Sequence, residues 1–184
     1  MDNIPLQPEP FLGGYDRVFG GTTLTEITEI ALISVAMPLN GQGKLQETVQ
    51  SIWGIDLPTP GTCAATLDGK TRLLGQSPDS FLGLLSDPPG PAMEKLQGAG
   101  YTTDQSDTWV ILHLRGLLCL PAMERICPID LNSLLAGNFA RTTMEHLGVI
   151  ILRQGPDDVM LLSASSSAGS FLHAVETSIT NVEP

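Results

Sequence analysis

The sequence predicts an α+β domain made of two similar lobes, each with a strand, a helix, a meander of three strands and a second helix. Two short patterns recur. An Ile-Asp-Leu step at residues 55–57 returns at 129–131, and a Pro-Asp turn at 78–79 returns at 156–157. The separations of 74 and 78 residues are nearly equal, which indicates an internal duplication. Because each unit combines strands with helices on one face, the two sheets are expected to share or abut a core.

The chain divides into an N-terminal arm and one domain. We expect an extended arm over residues 1–23 and a single α+β domain over residues 24–184. The two lobes of the domain are expected at about residues 24–100 and 101–184. A length of 184 residues suits one compact domain, or two small subdomains that share a core.

The arm combines helix-breaking and strand-breaking residues with aromatic ones. Its prolines and paired glycines discourage regular structure. Yet Phe11, Tyr15 and Phe19 are three of the nine aromatic residues of the chain, whereas disordered tails are poor in aromatics. These three are therefore candidate partner-facing residues. The alternatives are an arm wrapped over its own domain and simple disorder, and large destabilisation on deletion of the arm would favour the wrapped arm.

In the first lobe, a largely apolar run over residues 26–36 predicts a strand. A turn at residues 40–43 leads into a helix over about residues 44–53, which has one apolar stripe and Gly54 as a suitable C′ residue. Three strand-like runs, a hairpin turn between the first two, a short helix and a loop or edge strand complete the lobe. They are expected near residues 63–67, 72–74 and 81–85, at Asp68-Gly69, at residues 92–97 and at residues 98–106.

The second lobe opens with a β-rich run over residues 109–114, followed by a short helix. The helix stops at Cys127-Pro128, because the residue before a proline is pushed out of the α region. Pro121 lies inside it, so the helix must start late, near this proline, or be kinked. After two apolar strands, the last helix is predicted with a serine run as N-cap. These elements are expected at residues 148–153, 159–162 and 165–179.

Composition excludes several classes of partner. The chain has nine lysines and arginines against twenty aspartates and glutamates, a net charge of −11, so it repels nucleic acids and anionic membranes. A mean hydropathy of +0.14 indicates apolar residues for a core or for a surface that another subunit covers. Three unpatterned cysteines, Cys63, Cys119 and Cys127, indicate free thiols in a reducing compartment. No export signal is predicted, and the cytoplasm is the expected location.

A search for reactive groups leads us to predict no catalytic, cofactor-binding or metal-binding residue in this chain. The glycine turn at residues 41–44 lies where a phosphate loop would, but Gln46 replaces the third glycine of a dinucleotide fingerprint. We expect His113 to be a satisfied interior or interface histidine and Asp157-Asp158 to face water. The other candidates lack partners at the required spacing; they are His146, His173, Cys119, Cys127 and the serines of residues 163–170.

A series of short motifs follows in order through the second half of the chain. They are Gly116, the step Cys127-Pro128-Ile129-Asp130-Leu131, an apolar strand ending in Arg153, an acidic turn at residues 156–158 and a final helix. No single motif is specific, but in this order they resemble the gamma subunit of heterotetrameric sarcosine oxidase. The resemblance covers roughly the last eighty residues well and the first half, from about Glu26, more loosely.

The resemblance implies a fold similar to the folate-binding aminomethyltransferase type, without the folate site. It implies a non-catalytic subunit of a flavoenzyme complex that oxidises sarcosine or a related N-methyl amino acid and transfers the one-carbon unit to tetrahydrofolate. The partners would be the alpha, beta and delta subunits, chiefly alpha. FAD, FMN, NAD, tetrahydrofolate and zinc are expected in those partner subunits, and none in this chain.

Three departures from the family pattern leave the partner open. Pro121 interrupts the short helix, residues 137–140 lack the cysteine of the family, and Ala164 stands where the family has an arginine before the last helix. A gamma-type subunit of N-methylglutamate dehydrogenase, a stand-alone folate-binding one-carbon domain and an unrelated scaffold protein of the same fold class are the alternatives.

Overall fold

The structure, a computed structural model, describes residues 9–183. That range contains eleven strands, four α-helices and two short 3-10 turns. The strands are β1 (Asp16–Phe19), β2 (Thr22–Glu26), β3 (Ala31–Ala36), β4 (Cys63–Ala65), β5 (Thr71–Ser77), β6 (Ser80–Leu85), β7 (Tyr101–Asp104), β8 (Trp109–Arg115), β9 (Phe139–Met144), β10 (Leu147–Gly155) and β11 (Asp158–Ala164). The helices are α1 (Gln42–Trp53), α2 (Pro89–Leu96), α3 (Cys119–Ile126) and α4 (Ala168–Thr180), and the 3-10 turns are Ser106–Thr108 and Ser165–Ser167.

The strands form two sheets in which every pair of neighbours is antiparallel. The first sheet has the order β4-β5-β6-β3-β7, and the second has the order β1-β2-β8-β11-β10-β9. The sheets face each other, and each carries two helices on its outer face, which gives four layers. None of the helices in the described range is long and apolar enough to cross a membrane.

Three apolar clusters fill the spaces between the layers. Alternation along β8 shows how one strand serves two of them: Val110, Leu112 and Leu114 face α3 and α4, while Ile111 faces the first sheet. The middle cluster joins the two sheets and includes Leu32, Leu82, Ile150 and Leu162. The third cluster lies between the first sheet and helices α1 and α2. The two sheets therefore share a core, as the sequence predicts.

The backbone repeats itself, which confirms the predicted pair of similar lobes. Strands β3 to β6 of the first lobe correspond to β8 to β11 of the second, and α1 and α2 correspond to α3 and α4. A β-bulge recurs as well. The register shifts between Gly75 and Ser77 in β5 and between Arg153 and Gly155 in β10, at a separation of 78 residues.

The N-terminal hairpin completes the second sheet. In the first lobe β7 follows α2 and pairs with β3; in the second lobe the place beside β8 is taken by β2. The prediction of an extended arm is therefore wrong for residues 16–23, and residues 1–8 lie outside the described range. Gly20 and Gly21 both have positive φ and form the hairpin turn instead of preventing strands. Of the strand predicted over residues 26–36, residues 31–36 form β3, whereas Glu26 ends β2 in the other sheet and residues 27–30 link the two strands.

The ends of three helices can be compared with the predictions from the sequence. Gly54 adopts the left-handed conformation after α1 and donates to the Gln50 carbonyl. Pro121 lies in the first turn of α3, where no intrahelical donor is required, so the helix begins late as expected. Ser167 of the predicted serine run occupies the N-cap position of α4, but its side chain makes no capping hydrogen bond, and the Ser165 hydroxyl donates to the Asp107 carbonyl.

The turn between β9 and β10 stores backbone strain. Glu145 and His146 have φ of 45° and 69°, in a two-residue hairpin turn that normally takes Asn-Gly. Left-handed conformations cost an ordinary residue about 1–2 kcal/mol. We therefore expect Glu145→Asn with His146→Gly to stabilise the chain by about 1 kcal/mol, seen as a rise of about 2–4 °C in Tm.

A matched control for this turn is Asn40→Gly. Asn40 has φ of 59°, but asparagine tolerates this region, so its replacement should change Tm little. A lower Tm for the double variant would mean that the Glu145 or His146 side chain makes contacts that outweigh the strain.

Candidate functional site

The three aromatic residues of the predicted arm have different surroundings. Phe11 is 45% exposed, whereas Phe19 is only 5% exposed and packs in the cluster beneath α3 and α4. Tyr15 is half-buried and packs against that cluster. The expectation of a partner-facing residue is therefore wrong for Phe19 in this chain, and Phe11 is the one of the three that presents a large apolar surface.

Tyr15 ties the N-terminal hairpin to the last helix. Its hydroxyl donates to Oε1 of Glu176 at 2.5 Å, and Arg17 Nη1 lies 3.2 Å from the same oxygen. Burial raises the pKa of Tyr15 to about 12, with a further rise from the Glu176 carboxylate that Arg17 partly opposes. The phenol is therefore a protonated structural donor at neutral pH.

The candidate nucleophiles are thiols whose surroundings disfavour the thiolate. Burial raises the pKa of Cys119 to about 12, and the carboxylates of Asp157 and Asp158 add to the rise. Burial also raises the pKa of Cys63 and of Cys127. Because the thiolate is the nucleophile, these cysteines are poorly suited to covalent catalysis at neutral pH.

His113 lies in a small polar cluster on the second sheet. Its Nε2 lies 2.7 Å from Oδ1 of Asp158, and Arg115 Nε lies 3.7 Å from the other oxygen of the same carboxylate. The imidazole is thus satisfied by Asp158. The expectation that Asp158 simply faces water is wrong, because β11 places it beside β8. Among residues 9–183, no group of three or more His, Cys, Asp or Glu side chains could hold a metal ion.

The candidate functional site is a half-open cleft of about 490 Å³, which we call the acidic cleft. Four segments that are distant in sequence meet there: the chain before β1, the link from β2 to β3, the loop before α2 and the turn before β8. It thus lies where the chain crosses between the two sheets. Its lining includes Glu9, Phe11, Glu26, Ile27, Glu29, Ile30, Asp87, Asp107, Trp109 and Ile111.

Glu26 fixes the N-terminal wall of this cleft. Its buried carboxylate accepts hydrogen bonds from the backbone N–H groups of Leu12 at 3.0 Å and Gly14 at 2.8 Å. The Glu26 N–H in turn donates to the Tyr15 carbonyl at 2.7 Å. On the far side, Ile27 N–H donates to the Ile111 carbonyl at 2.9 Å. These bonds hold the cleft open in a defined shape.

The charge of the cleft has one sign. Within the part of the chain that the structure describes, every titratable side chain in the lining is a carboxylate, five in all, and no lysine, arginine or histidine lines the cleft. Glu26 is engaged by backbone donors, whereas Glu29, Asp87 and Asp107 are exposed and take part in none of the ion pairs found among residues 9–183. The Trp109 indole nitrogen is buried in the wall without an acceptor. The site therefore combines an apolar floor with an uncompensated acidic rim.

Sequence reasoning identified Phe11 but missed the rest of this cleft. Glu29, Asp87 and Asp107 lie in three separate loops and share no motif. Their meeting depends on the face-to-face packing of two sheets, which periodicity alone does not specify. A usable signal was that Glu29 and Asp107 lie in the two links between the sheets, where the predicted duplication requires the chain to cross over, whereas Asp87 lies in the loop before α2 and carries no such signal.

The chain was compared with known proteins. No protein-family model matches it, and no curated protein matches it. A solved structure of heterotetrameric sarcosine oxidase from Corynebacterium sp. U-96, in complex with pyrrole 2-carboxylate, contains a similar chain. The TM-score is 0.78 at 22% identity, over 89% of this chain and 86% of that one.

A second similar structure is glycine cleavage system aminomethyltransferase T from Bartonella henselae. Here the TM-score is 0.61 at 14% identity, and 89% of this chain spans about half, 53%, of the length of that one. At these identities the likeness establishes the fold. The chain has the α+β fold found in a chain of heterotetrameric sarcosine oxidase and in the aminomethyltransferase.

Proposed function

We propose that this chain is the gamma-type subunit of a heterotetrameric sarcosine-oxidase-like complex. The observation that carries the proposal is mutual coverage: the fold likeness spans 89% of this chain and 86% of the sarcosine oxidase chain. The aminomethyltransferase chain, in contrast, is matched over only 53% of its length. A match over most of both chains fits correspondence to one whole subunit better than to part of a longer enzyme.

In this proposal the chain supports assembly and stability, and the chemistry belongs to its partners. The alpha, beta and delta subunits, chiefly alpha, are the proposed partners, and FAD, FMN, NAD, tetrahydrofolate and zinc would be bound there. The complex would demethylate sarcosine or a related N-methyl amino acid oxidatively, in the cytoplasm. The protonated thiols of this chain and the satisfied His113 are compatible with such a role.

A gamma-type subunit of N-methylglutamate dehydrogenase is a variant of the same proposal, which the substrate of the recovered complex would identify. A stand-alone folate-binding one-carbon domain is the second candidate, and the likeness to an aminomethyltransferase favours it. Tetrahydrofolate titration followed by the fluorescence of Trp53 and Trp109 separates the candidates. Saturable binding by the isolated chain would favour the folate-binding domain, and an unchanged signal is expected for the subunit.

The direct test of the proposal is recovery of the tagged chain from its native source under mild conditions. We expect it to co-purify with a large flavoprotein, whose flavin absorbance near 450 nm follows the tag in about equimolar amount. An extract passed over the untagged matrix is the control. Recovery of a lone monomer without a flavoprotein would contradict the proposed function.

A further inference from the structure

We propose that the acidic cleft is the docking site for an extended segment of a partner protein that carries basic residues around an apolar side chain. This inference rests on the proposed function in that it gives the assembly subunit its partner-binding surface. It goes further, because it names the surface and the chemistry of the segment that fits it.

The first argument is charge complementarity. On the surface of the second lobe, two carboxylates have a cation beside them: Arg17 lies against Glu176, and Arg115 lies against Asp158. At the cleft, the exposed Glu29, Asp87 and Asp107 are brought together by three loops, and no cationic side chain among residues 9–183 lines the site. Like charges that converge without a counter-ion raise the affinity for a cationic partner and its association rate.

The second argument is the apolar floor. Phe11 is 45% exposed at the mouth, and Ile27, Ile30 and Trp109 line the interior together with the buried Ile111. A small hydrated cation would gain nothing from this floor. A segment with an apolar side chain flanked by arginine or lysine can bury the apolar side chain against the floor and pair its cations with the carboxylates of the rim. An aromatic contact surface surrounded by a charged rim is the usual anatomy of a protein interface.

The third argument is preorganisation. The Glu26 carboxylate accepts hydrogen bonds from backbone N–H groups within residues 12–15. In the link from β2 to β3, Ile27 N–H donates to the Ile111 carbonyl of β8, and at the start of β3 Leu32 N–H donates to the Ser106 hydroxyl at 3.1 Å. An occupant therefore meets a formed cleft and does not have to order its walls. Binding to a preformed surface loses less entropy.

The first experiment tests docking without any partner. In a Trp53→Phe chain, Trp109 is the remaining tryptophan and reports on the cleft. The probe is a capped hexapeptide of alternating arginine and leucine, titrated at low salt. We expect saturable fluorescence changes, and about tenfold weaker binding once Glu29→Gln, Asp87→Asn and Asp107→Asn are combined, since three rim charges are removed without change of shape.

A matched control removes the same charge elsewhere. Glu47, Glu94 and Glu124 are exposed on α1, α2 and α3, and their combined change to glutamine removes the same three negative charges. We expect this variant to bind the basic peptide as tightly as the original chain does. A peptide of alternating glutamate and leucine should not bind the original chain. Equal affinity of the basic peptide for both triple variants, or no Trp109 response to it, would overturn the docking site.

The second experiment uses the complex recovered through the tagged chain. We expect the variant with changes at Glu29, Asp87 and Asp107, the cleft variant, to lose the flavoprotein. The variant with changes at Glu47, Glu94 and Glu124, the helix variant, should retain it. Retention by both variants would overturn the docking site and leave the proposed function standing. Absence of flavoprotein with the unchanged chain would contradict the proposed function, while the peptide titration would still decide whether the cleft takes a basic segment.

Discussion

Deletion of residues 1–26 should abolish the cooperative unfolding of the isolated chain. This change removes β1 and β2, leaves the edge of β8 without its partner, and takes the buried Phe19 and Leu24 out of the cluster beneath α3 and α4. Each of these side chains contributes about 1.5–3 kcal/mol by burial, and the ladder to β8 and the Tyr15–Glu176 bond add to that. Against a typical total of about 5–15 kcal/mol, the loss is large.

Two point variants on the hairpin make this prediction sharper. Leu24 is 0% exposed and Val18 is 65% exposed, although both are apolar and lie on adjoining strands. We expect Leu24→Ala to cost about 2–5 kcal/mol in urea unfolding and Val18→Ala to cost less than about 0.5 kcal/mol. A melting temperature that survives the deletion, or equal costs for the two variants, would mean that the hairpin is an appendage and not part of the second lobe.

The hairpin also explains which part of the fold could be read from the sequence. Helix ends and tight turns follow from nearby residues, so Gly54 and the Asp68-Gly69 turn were located correctly. The duplication could be predicted because similar short patterns recur at similar separations along the sequence. The pairing of β2 with β8 joins residues 23–26 to residues 112–115, and no local pattern encodes such a partner. Gly20-Gly21 is compatible with a disordered arm and with a hairpin alike.

The acidic cleft could not be predicted from the sequence for the same reason. Its carboxylates are ordinary surface residues in the sequence and acquire significance only where four segments converge. Phe11 could be singled out, because an aromatic residue in a proline-rich and glycine-rich segment is unusual. Its neighbours could not be named from the sequence, since they depend on the packing of one sheet against the other.

Comparison of the two lobes shows one position where they differ in how a loop is held against the sheet. Gly75 and Arg153 are equivalent: each exchanges backbone hydrogen bonds with the loop that precedes the meander, Gly75 with Gly61 and Thr62, and Arg153 with Gly137 and Asn138. At Gly75 a Cβ would lie 2.4 Å from the Thr59 carbonyl oxygen, so the loop packs directly on the backbone. In the second lobe the equivalent position carries the long side chain of Arg153.

Arg153 is buried and satisfied by carbonyl groups. Its Nε donates to Gly155 at 3.0 Å, its Nη2 donates to Pro156 at 2.9 Å, and its Nη1 donates to Leu131. The guanidinium therefore joins the bulge of β10 to the loop after α3. The forked geometry of arginine allows three donors to reach separate segments, which a lysine ammonium does not do.

We expect Arg153→Met to destabilise the chain by about 2–4 kcal/mol, measured by urea unfolding. Removal of a buried cation recovers its own desolvation cost, but three carbonyls lose charged donors at about 1–3 kcal/mol each, so the loss prevails. Arg153→Lys should fare no better, because it keeps the buried charge without the fork. Arg141→Met, an exposed arginine on neighbouring β9, is the control and should cost less than about 0.5 kcal/mol. If Arg153→Lys were as stable as the original chain, the charge, and not the three hydrogen bonds, would hold the loop. If Arg153→Met were as stable as Arg141→Met, the loop would pack without Arg153, as the equivalent loop does on Gly75.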